Sequence, residues 1–68
     1  MSQELNCGDL SGRARNVLEY LLGRLPASTD DLVGVTADVL LSIPNCGRYT
    51  CSEIEGWARQ HGIELPKR

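Results

Sequence analysis

The stretch Leu41-Ser-Ile-Pro-Asn-Cys-Gly-Arg-Tyr-Thr50 decides the fold of this chain. It predicts the end of a short apolar helix, a tight turn and the start of a second helix. Pro44 lacks a backbone N–H and disfavours helical geometry at the residue before it, so the first helix ends there. Asn45 and Gly47 both tolerate positive φ angles, which lets the backbone reverse within a few residues. The stretch therefore has the pattern of a helix-hairpin-helix motif.

The second helix of this motif is expected to begin near Arg48. Its first turn offers unpaired N–H groups at the positive end of a helix dipole, beside an arginine and the Thr50 hydroxyl. Such a corner suits a phosphate oxygen, and a nucleic-acid backbone is the simplest ligand that supplies one. The same Pro-Asn-x-Gly pattern also turns corners in small helical bundles, so a purely structural role is the alternative.

The residues on the N-terminal side of the motif also predict helices. Ser11 is the expected N-cap of a first helix whose apolar positions recur at spacings of three and four, and Gly23 and Pro26 end that helix. Ser28 or Thr29 then caps a brief helical turn. The apolar positions of the first helix are Val17, Leu18, Leu21 and Leu22.

Two further helices flank the turn. Thr36 is the expected N-cap of a short helix over residues 37–42. The final helix is expected over residues 48–61, and Gly62 ends it. No strand pattern is present, so we expect an all-α fold, a compact bundle of four to five short helices. The remaining predicted core residues are Leu40, Leu41, Ile43, Ile54, Trp57, Ala58, Ile63 and Leu65.

The length and composition of the chain predict a single domain. Its 68 residues, 41% of them hydrophobic, allow one modest core and leave no room for a substrate cleft between two lobes. Residues 1–9 are polar and without periodicity, and we expect them to form a flexible lead-in that is either disordered or loosely docked. The helical domain is expected over residues 10–65, and residues 66–68 form a C-terminal tail.

Composition and charge argue against several classes of function. The sequence has no run of about 18 apolar residues and no basic-then-apolar start, so we expect a cytoplasmic protein without membrane contact. It assembles no nucleophile with a base, so we expect no catalytic residues, cofactor or small-molecule substrate. The formal net charge is −2, so any DNA contact must use local positive charge from Arg13, Arg15 and Arg48.

Three cysteines, Cys7, Cys46 and Cys51, are an odd number, which favours reduced thiols over a disulfide framework. A zinc site that combines them with His61 is the alternative. No Cys-x2-Cys pair is present, so we predict no metal site.

Two stretches together resemble a known family: Leu10-Ser-Gly-Arg-Ala-Arg-Asn-Val-Leu18 and Asp31-Leu-Val-Gly-Val-Thr-Ala-Asp-Val-Leu-Leu-Ser-Ile-Pro-Asn-Cys-Gly-Arg-Tyr-Thr-Cys-Ser-Glu-Ile54. They are similar to the C-terminal domain of the bacterial RNA polymerase alpha subunit. The resemblance continues to His61-Gly-Ile-Glu-Leu65, so it covers about residues 10–65. It implies a non-catalytic bundle that docks on the minor groove of A/T-rich promoter DNA and touches sigma factor and transcription activators.

The resemblance assigns DNA contacts to matching positions. Arg13 stands where the family places its minor-groove arginine, and Asn16 matches one turn later on the same helical face. Gly47 matches the hairpin glycine. Thr50 replaces a serine whose hydroxyl and amide meet phosphate. Glu53 matches an acidic position, spaced from Thr50 as in a capping box.

One position departs from the family pattern. Two residues after the hairpin glycine the family carries a lysine, and this sequence has Tyr49. Arg48, directly before it, is expected to supply the missing charge. The loop after the first helix is also longer than in the family, and it places Arg24 and Pro26 in a bulge that we interpret as surface variation.

The sequence thus predicts a standalone, non-catalytic DNA-binding module related to transcription. Its predicted DNA-binding residues are Arg13, Asn16, Gly47, Arg48, Thr50 and Glu53. The alternative keeps the fold but makes it a protein-protein adaptor or regulator. Such an adaptor would dock on RNA polymerase, sigma factor or a transcription factor through an acidic side formed around Asp30, Asp31 and Asp38.

Overall fold

Three α-helices and two 3-10 turns carry the fold in the part of the chain that the computed structural model describes, residues 4–44 and 46–68. The helices are α1 (Gly12–Leu22), α2 (Ala37–Leu41) and α3 (Arg48–Gln60), and the 3-10 turns span Cys7–Asp9 and Thr29–Leu32. These ranges contain no strand, only an isolated bridge between Glu4 and Ser28. Each helix within them is too short or too polar to cross a membrane. The predicted all-α class is confirmed.

Capping residues set both ends of α1. Ser11 is the N-cap, and its hydroxyl accepts a hydrogen bond from the Ala14 N–H at 3.2 Å. Gly23 ends the helix with φ 81°, in the left-handed region that glycine adopts without steric cost. Both ends lie where the sequence predicts them.

The N-terminus of α2 depends on the last residues of the chain. Thr36 is its N-cap. The Ala37 N–H donates to the Pro66 carbonyl at 2.8 Å, and the Asp38 N–H donates to the Lys67 carbonyl at 3.0 Å. The first turn of a helix leaves such donors without partners inside the helix. The predicted C-terminal tail therefore takes part in the fold, because it supplies acceptors to α2.

One hydrophobic core joins the three helices. Leu18, Leu40 and Ile54, one from each helix, are fully buried. Trp57 is 4% exposed, and its indole N–H donates to the Asn6 carbonyl at 2.9 Å. The radius of gyration is 10.5 Å, close to the roughly 11 Å expected of a compact domain of this length. The bundle therefore has the dimensions of an ordinary compact domain of this length.

Most of the predicted core positions are buried or packed against the core, and Leu41 is the exception. Leu41 is 46% exposed, whereas Ile43 is buried. In the short helix α2, only Ala37 and Leu40 are buried. Leu41, next to Leu40 on the helix, points away from that face.

Residues 4–9, the described part of the predicted lead-in, pack against the rest of the chain. Leu5 is 7% exposed and belongs to the core, and its N–H donates to the Ala27 carbonyl at 3.0 Å. The carbonyl of the following residue, Asn6, accepts the hydrogen bond from the Trp57 indole N–H. One leucine in a polar stretch has no periodicity, so the sequence pattern does not reveal this docking. The first three residues of the predicted lead-in lie outside the described ranges.

The loop after α1 is hydrogen-bonded to other parts of the chain, although its residues 23–25 are exposed. Pro26 is buried, and its carbonyl accepts a hydrogen bond from the Cys7 thiol at 3.3 Å. Asp31 accepts from the Ala27 N–H at 2.8 Å and pairs with Arg24 at 3.0 Å. The carbonyls of Pro26 and Ala27 therefore join this loop to the N-terminal segment.

The α2–α3 turn, of which the structure describes residues 42–44 and 46–47, precedes α3, which begins at Arg48 as the sequence predicts. Gly47 has φ −86°, which any residue can adopt, so the predicted use of positive φ at Gly47 is wrong. Asn45, the other residue predicted to reverse the chain, lies outside the described residues. The interpretation of α2, the turn and α3 as a helix-hairpin-helix motif therefore stays a prediction.

Candidate functional site

An open groove lies between α1 and the α2–α3 turn. Its volume is about 1060 Å³. It brings three of the predicted DNA-binding residues to one surface, although one of them is distant from the other two in the sequence. The described residues that line it are Gly12, Arg13, Asn16, Val17, Tyr20, Ile43, Pro44, Cys46 and Gly47.

One face of α1 forms the first wall of the groove. Arg13, Asn16 and Tyr20 follow one another at spacings of three and four residues, which places them on the same helical face. All three are exposed. None of these side chains has an ion pair or hydrogen bond to another described residue. This wall therefore presents a guanidinium, an amide and a phenol, all of them able to donate hydrogen bonds to a ligand.

The second wall comes from the α2–α3 turn. Ile43 and Cys46 are buried, whereas Pro44 and Gly47 are exposed. Gly47 is the N-cap of α3 and gives that helix no side-chain hydrogen bond. A Cβ added at Gly47 would meet no atom within 4 Å. The backbone at the start of α3 is therefore open at this wall.

The predicted contacts further along α3 lie outside the groove lining. Arg48 is exposed at the first position of α3. Thr50 is 5% exposed, so little of its side chain reaches the surface. Tyr49, which stands at the position of the family's lysine, is 94% exposed. These three residues therefore follow Gly47 along α3 without lining the groove themselves.

Glu53 connects α3 to the start of α1. Its carboxylate accepts hydrogen bonds from the Ser11 N–H and the Ser11 hydroxyl, both at 2.8 Å. The predicted capping box with Thr50 is wrong, because the N-cap of α3 is Gly47 and the Glu53 carboxylate is bonded to a different helix. Glu53 thus holds the residue that immediately precedes the first wall of the groove.

Charge is unevenly distributed around the groove. Arg13 is the one charged residue among its described lining residues. The charge of Arg15 acts on the Cys7 thiol, outside that lining. Asp30 lines a second cleft, formed by residues around the second 3-10 turn and by the C-terminal segment. The groove therefore carries local positive charge on a chain whose net charge is −2.

The three cysteines are free thiols. Burial raises the pKa of Cys7 and of Cys46. Burial, together with a hydrogen bond from the Cys51 thiol to the Glu55 carboxylate at 3.3 Å, raises the pKa of Cys51 to about 11. All three thiols are therefore protonated at neutral pH. Across the described ranges, His, Cys, Asp and Glu side chains form no cluster of three or more that could hold a metal ion.

Sequence reasoning missed Tyr20 as a groove residue, although a signal for it was present. Tyr20 lies four residues after Asn16 and seven after Arg13, so helical periodicity alone places it on their face. Pro44 and Cys46 were not predictable in the same way. Which residues of a turn meet a neighbouring helix depends on how the two elements pack.

No family model, curated protein or solved structure matches this chain. The resemblance to the polymerase alpha domain therefore rests on the residues that carry it. The function has to be inferred from the geometry and chemistry of the groove.

Proposed function

We propose that this protein is a non-catalytic DNA-binding module related to transcription, similar to the C-terminal domain of the RNA polymerase alpha subunit. In this proposal the groove face of α1 meets the minor groove of A/T-rich DNA, and α2, the turn and α3 act as a helix-hairpin-helix motif. The observation that carries the proposal is the convergence of Arg13, Asn16 and Gly47 on one groove. Arg13 has no acidic partner among the described residues.

The donors of the first wall suit the acceptors of an A/T minor groove. The edges of A·T pairs expose only acceptors there, whereas a G·C pair adds an amino group. A-tracts also narrow the minor groove, which concentrates negative potential and attracts arginine. Arg13 and Asn16 both donate hydrogen bonds, so we expect them to prefer A/T-rich sites.

The start of α3 suits the phosphate backbone beside that groove. Gly47 leaves the backbone open, and Arg48 adds an exposed positive charge at the first position of α3. N–H groups in the first turn of a helix bind anions. Phosphate contacts of this kind set the orientation of a protein on DNA without reading its sequence.

Binding by the isolated domain is expected to be weak. A net charge of −2 opposes association, and the groove offers few positive charges. Interactions led by a few phosphate contacts have dissociation constants of roughly 10⁻⁴ to 10⁻⁶ M at physiological salt. Tethering by a partner protein would raise the local concentration and so the occupancy.

The first test is the substitution Arg13→Ala. We expect it to weaken binding to an A/T-rich duplex by about 5- to 150-fold, since a base-contacting arginine contributes about 1–3 kcal/mol. The matched control is Arg59→Ala, which removes an exposed arginine near the opposite end of α3. Isothermal titration calorimetry at low salt measures both variants. Equal affinities for the two variants would contradict the role of Arg13.

Amide chemical-shift titration locates the interface without mutation. Shifts at residues 12–20 and 46–48 that are larger for an A/T-rich than for a G/C-rich duplex, and that weaken with salt, would support the proposal. An absence of shifts at low salt would overturn it.

A second candidate function is docking on a protein partner. Val33, which is 82% exposed, and the exposed Asp30 both line the second cleft. An exposed apolar side chain beside an acidic one suits a protein partner with a basic rim better than it suits DNA. Pull-down of purified RNA polymerase subunits or sigma factor after nuclease treatment would support this candidate, provided that Val33→Ser reduces recovery and Arg13→Ala does not.

A further inference from the structure

We infer that Tyr20 extends the DNA contact beyond the minor groove, its hydroxyl donating a hydrogen bond to a phosphate on the strand that borders the groove. This inference rests on the proposed function. It adds a contact residue that neither the resemblance nor the hairpin pattern assigns.

Tyr20 has the exposure and the free donor that such a contact needs. It is 69% exposed and lines the same groove as Arg13 and Asn16. Its hydroxyl has no hydrogen-bond partner among the described residues. Tyr49 is also exposed, but it does not line the groove. Tyr20 is therefore the aromatic side chain that a ligand in the groove would meet.

The spacing along α1 places Tyr20 at the edge of the minor groove. An α-helix rises about 1.5 Å per residue, so Asn16 lies roughly 4.5 Å and Tyr20 roughly 10.5 Å along the axis from Arg13. The minor groove of B-DNA is about 6 Å wide. In the arrangement that we infer, the axis of α1 lies across the minor groove, so that with Arg13 and Asn16 in the groove Tyr20 lies beyond its wall, where the phosphates are. A phenol there meets an anionic acceptor, which gives a charge-assisted hydrogen bond.

A duplex offers the Tyr20 ring no base face, because paired bases are stacked on one another. Stacking on an aromatic side chain requires unpaired bases, as in single-stranded nucleic acid. The hydroxyl therefore has to account for the contribution of Tyr20 to duplex binding. Removal of the hydroxyl alone therefore distinguishes a phosphate contact from a general contact of the aromatic ring.

The substitution Tyr20→Phe, which removes only the hydroxyl, tests the inference in the full chain. We expect the affinity for an A/T-rich duplex to fall by about tenfold or more, the effect of losing one hydrogen bond to a charged group. Tyr20 is neutral, so the dependence of affinity on salt should keep its slope. Gln60→Ala changes an exposed residue at the end of α3, outside the groove, and is the control that should bind as the wild type does.

A set of duplexes with single neutral methylphosphonate linkages identifies the acceptor. At one flanking linkage the difference between wild type and Tyr20→Phe should disappear, because the charged acceptor is gone. The inference is overturned if the difference persists on every such duplex, or if Tyr20→Phe binds as the wild type does while Tyr20→Ala does not. If Tyr20→Phe has no effect and Arg13→Ala abolishes binding, the inference fails and the proposed function stands. If the wild type binds no duplex, both fail.

Discussion

At the scale of single residues, Glu53 links α3 to the helix that forms the first wall of the groove. Its two hydrogen bonds to Ser11 join α3 to the N-cap of α1, two positions before Arg13. A carboxylate at the N-terminus of a helix is also favoured by the helix dipole. The acidic position that the resemblance assigns to DNA contact therefore acts within the protein, as a positioning residue for the first wall.

Replacing Glu53 by Ala is expected to lower the free energy of unfolding by about 1–2 kcal/mol, because it removes both hydrogen bonds to the helix cap. Thermal denaturation followed by circular dichroism measures the change. Glu19→Ala, an exposed glutamate on α1, is the control and should stay within about 0.5 kcal/mol of the wild type. If the two variants are equally stable, the bond between Glu53 and Ser11 does not stabilise α1.

At the scale of elements, the loop between α1 and the second 3-10 turn depends on Asp31. Backbone N–H groups of Ala27 and Ser28 donate to its carboxylate at 2.8 and 3.2 Å, and Arg24 lies beside it. These hydrogen bonds, more than the arginine, lower the pKa of Asp31 below its ordinary value. The carboxylate therefore organises the loop only while it is ionised.

Acid is expected to loosen this loop. The folded-state pKa of Asp31 is lowered, so its stabilising contribution is fully present above the unfolded-state pKa of about 3.9 and is lost as the pH falls through the folded value. Carboxyl chemical shifts followed against pH should give a midpoint below 3.9. Arg24→Ala should move that midpoint only slightly, since the backbone hydrogen bonds are the larger cause. A midpoint at the ordinary value would contradict the loop geometry.

Helix ends were predictable because local chemistry determines them. Ser11 and Thr36 cap helices through their own hydroxyls, and Gly23 and Gly62 adopt positive φ after α1 and α3. The docking of Leu5 was not predictable, because its partners lie far away in the sequence. Short-range patterns carry no information on such contacts.

The candidate site likewise has features that the sequence predicts and features that depend on how the helices pack. Helical spacing was enough to place Arg13 and Asn16 on one face of α1, but only the packing of α1 on the α2–α3 turn brings Gly47 opposite them. The burial of Thr50 could have been predicted. It precedes Ile54 by four residues and Trp57 by seven, so it belongs to the buried stripe of α3.

At the scale of the whole molecule, the N-terminal segment adds to the hydrophobic core of a domain whose free energy of unfolding is small. A domain of this size is stabilised by roughly 3–10 kcal/mol. Leu5 lies in the same buried cluster as side chains from all three helices. The segment around it is therefore part of the folding unit.

We expect Leu5→Ala to lower the free energy of unfolding by about 2–3 kcal/mol, the lower part of the range for leucine truncation in a core. Urea denaturation gives the difference. Glu4→Ala changes the exposed neighbour and should have little effect. Equal midpoints for the two variants would mean that the docked segment adds nothing to stability.

Trp57 gives this molecule a built-in optical reporter. It is the only tryptophan in the sequence, its indole is buried, and it is hydrogen-bonded to the Asn6 carbonyl of the docked segment. Release of the segment would expose the indole to water and shift its fluorescence emission to longer wavelength. Trp57 does not line the groove, so a ligand bound there leaves the emission wavelength unchanged. Fluorescence of the unlabelled protein therefore distinguishes detachment of the N-terminal segment from occupation of the groove.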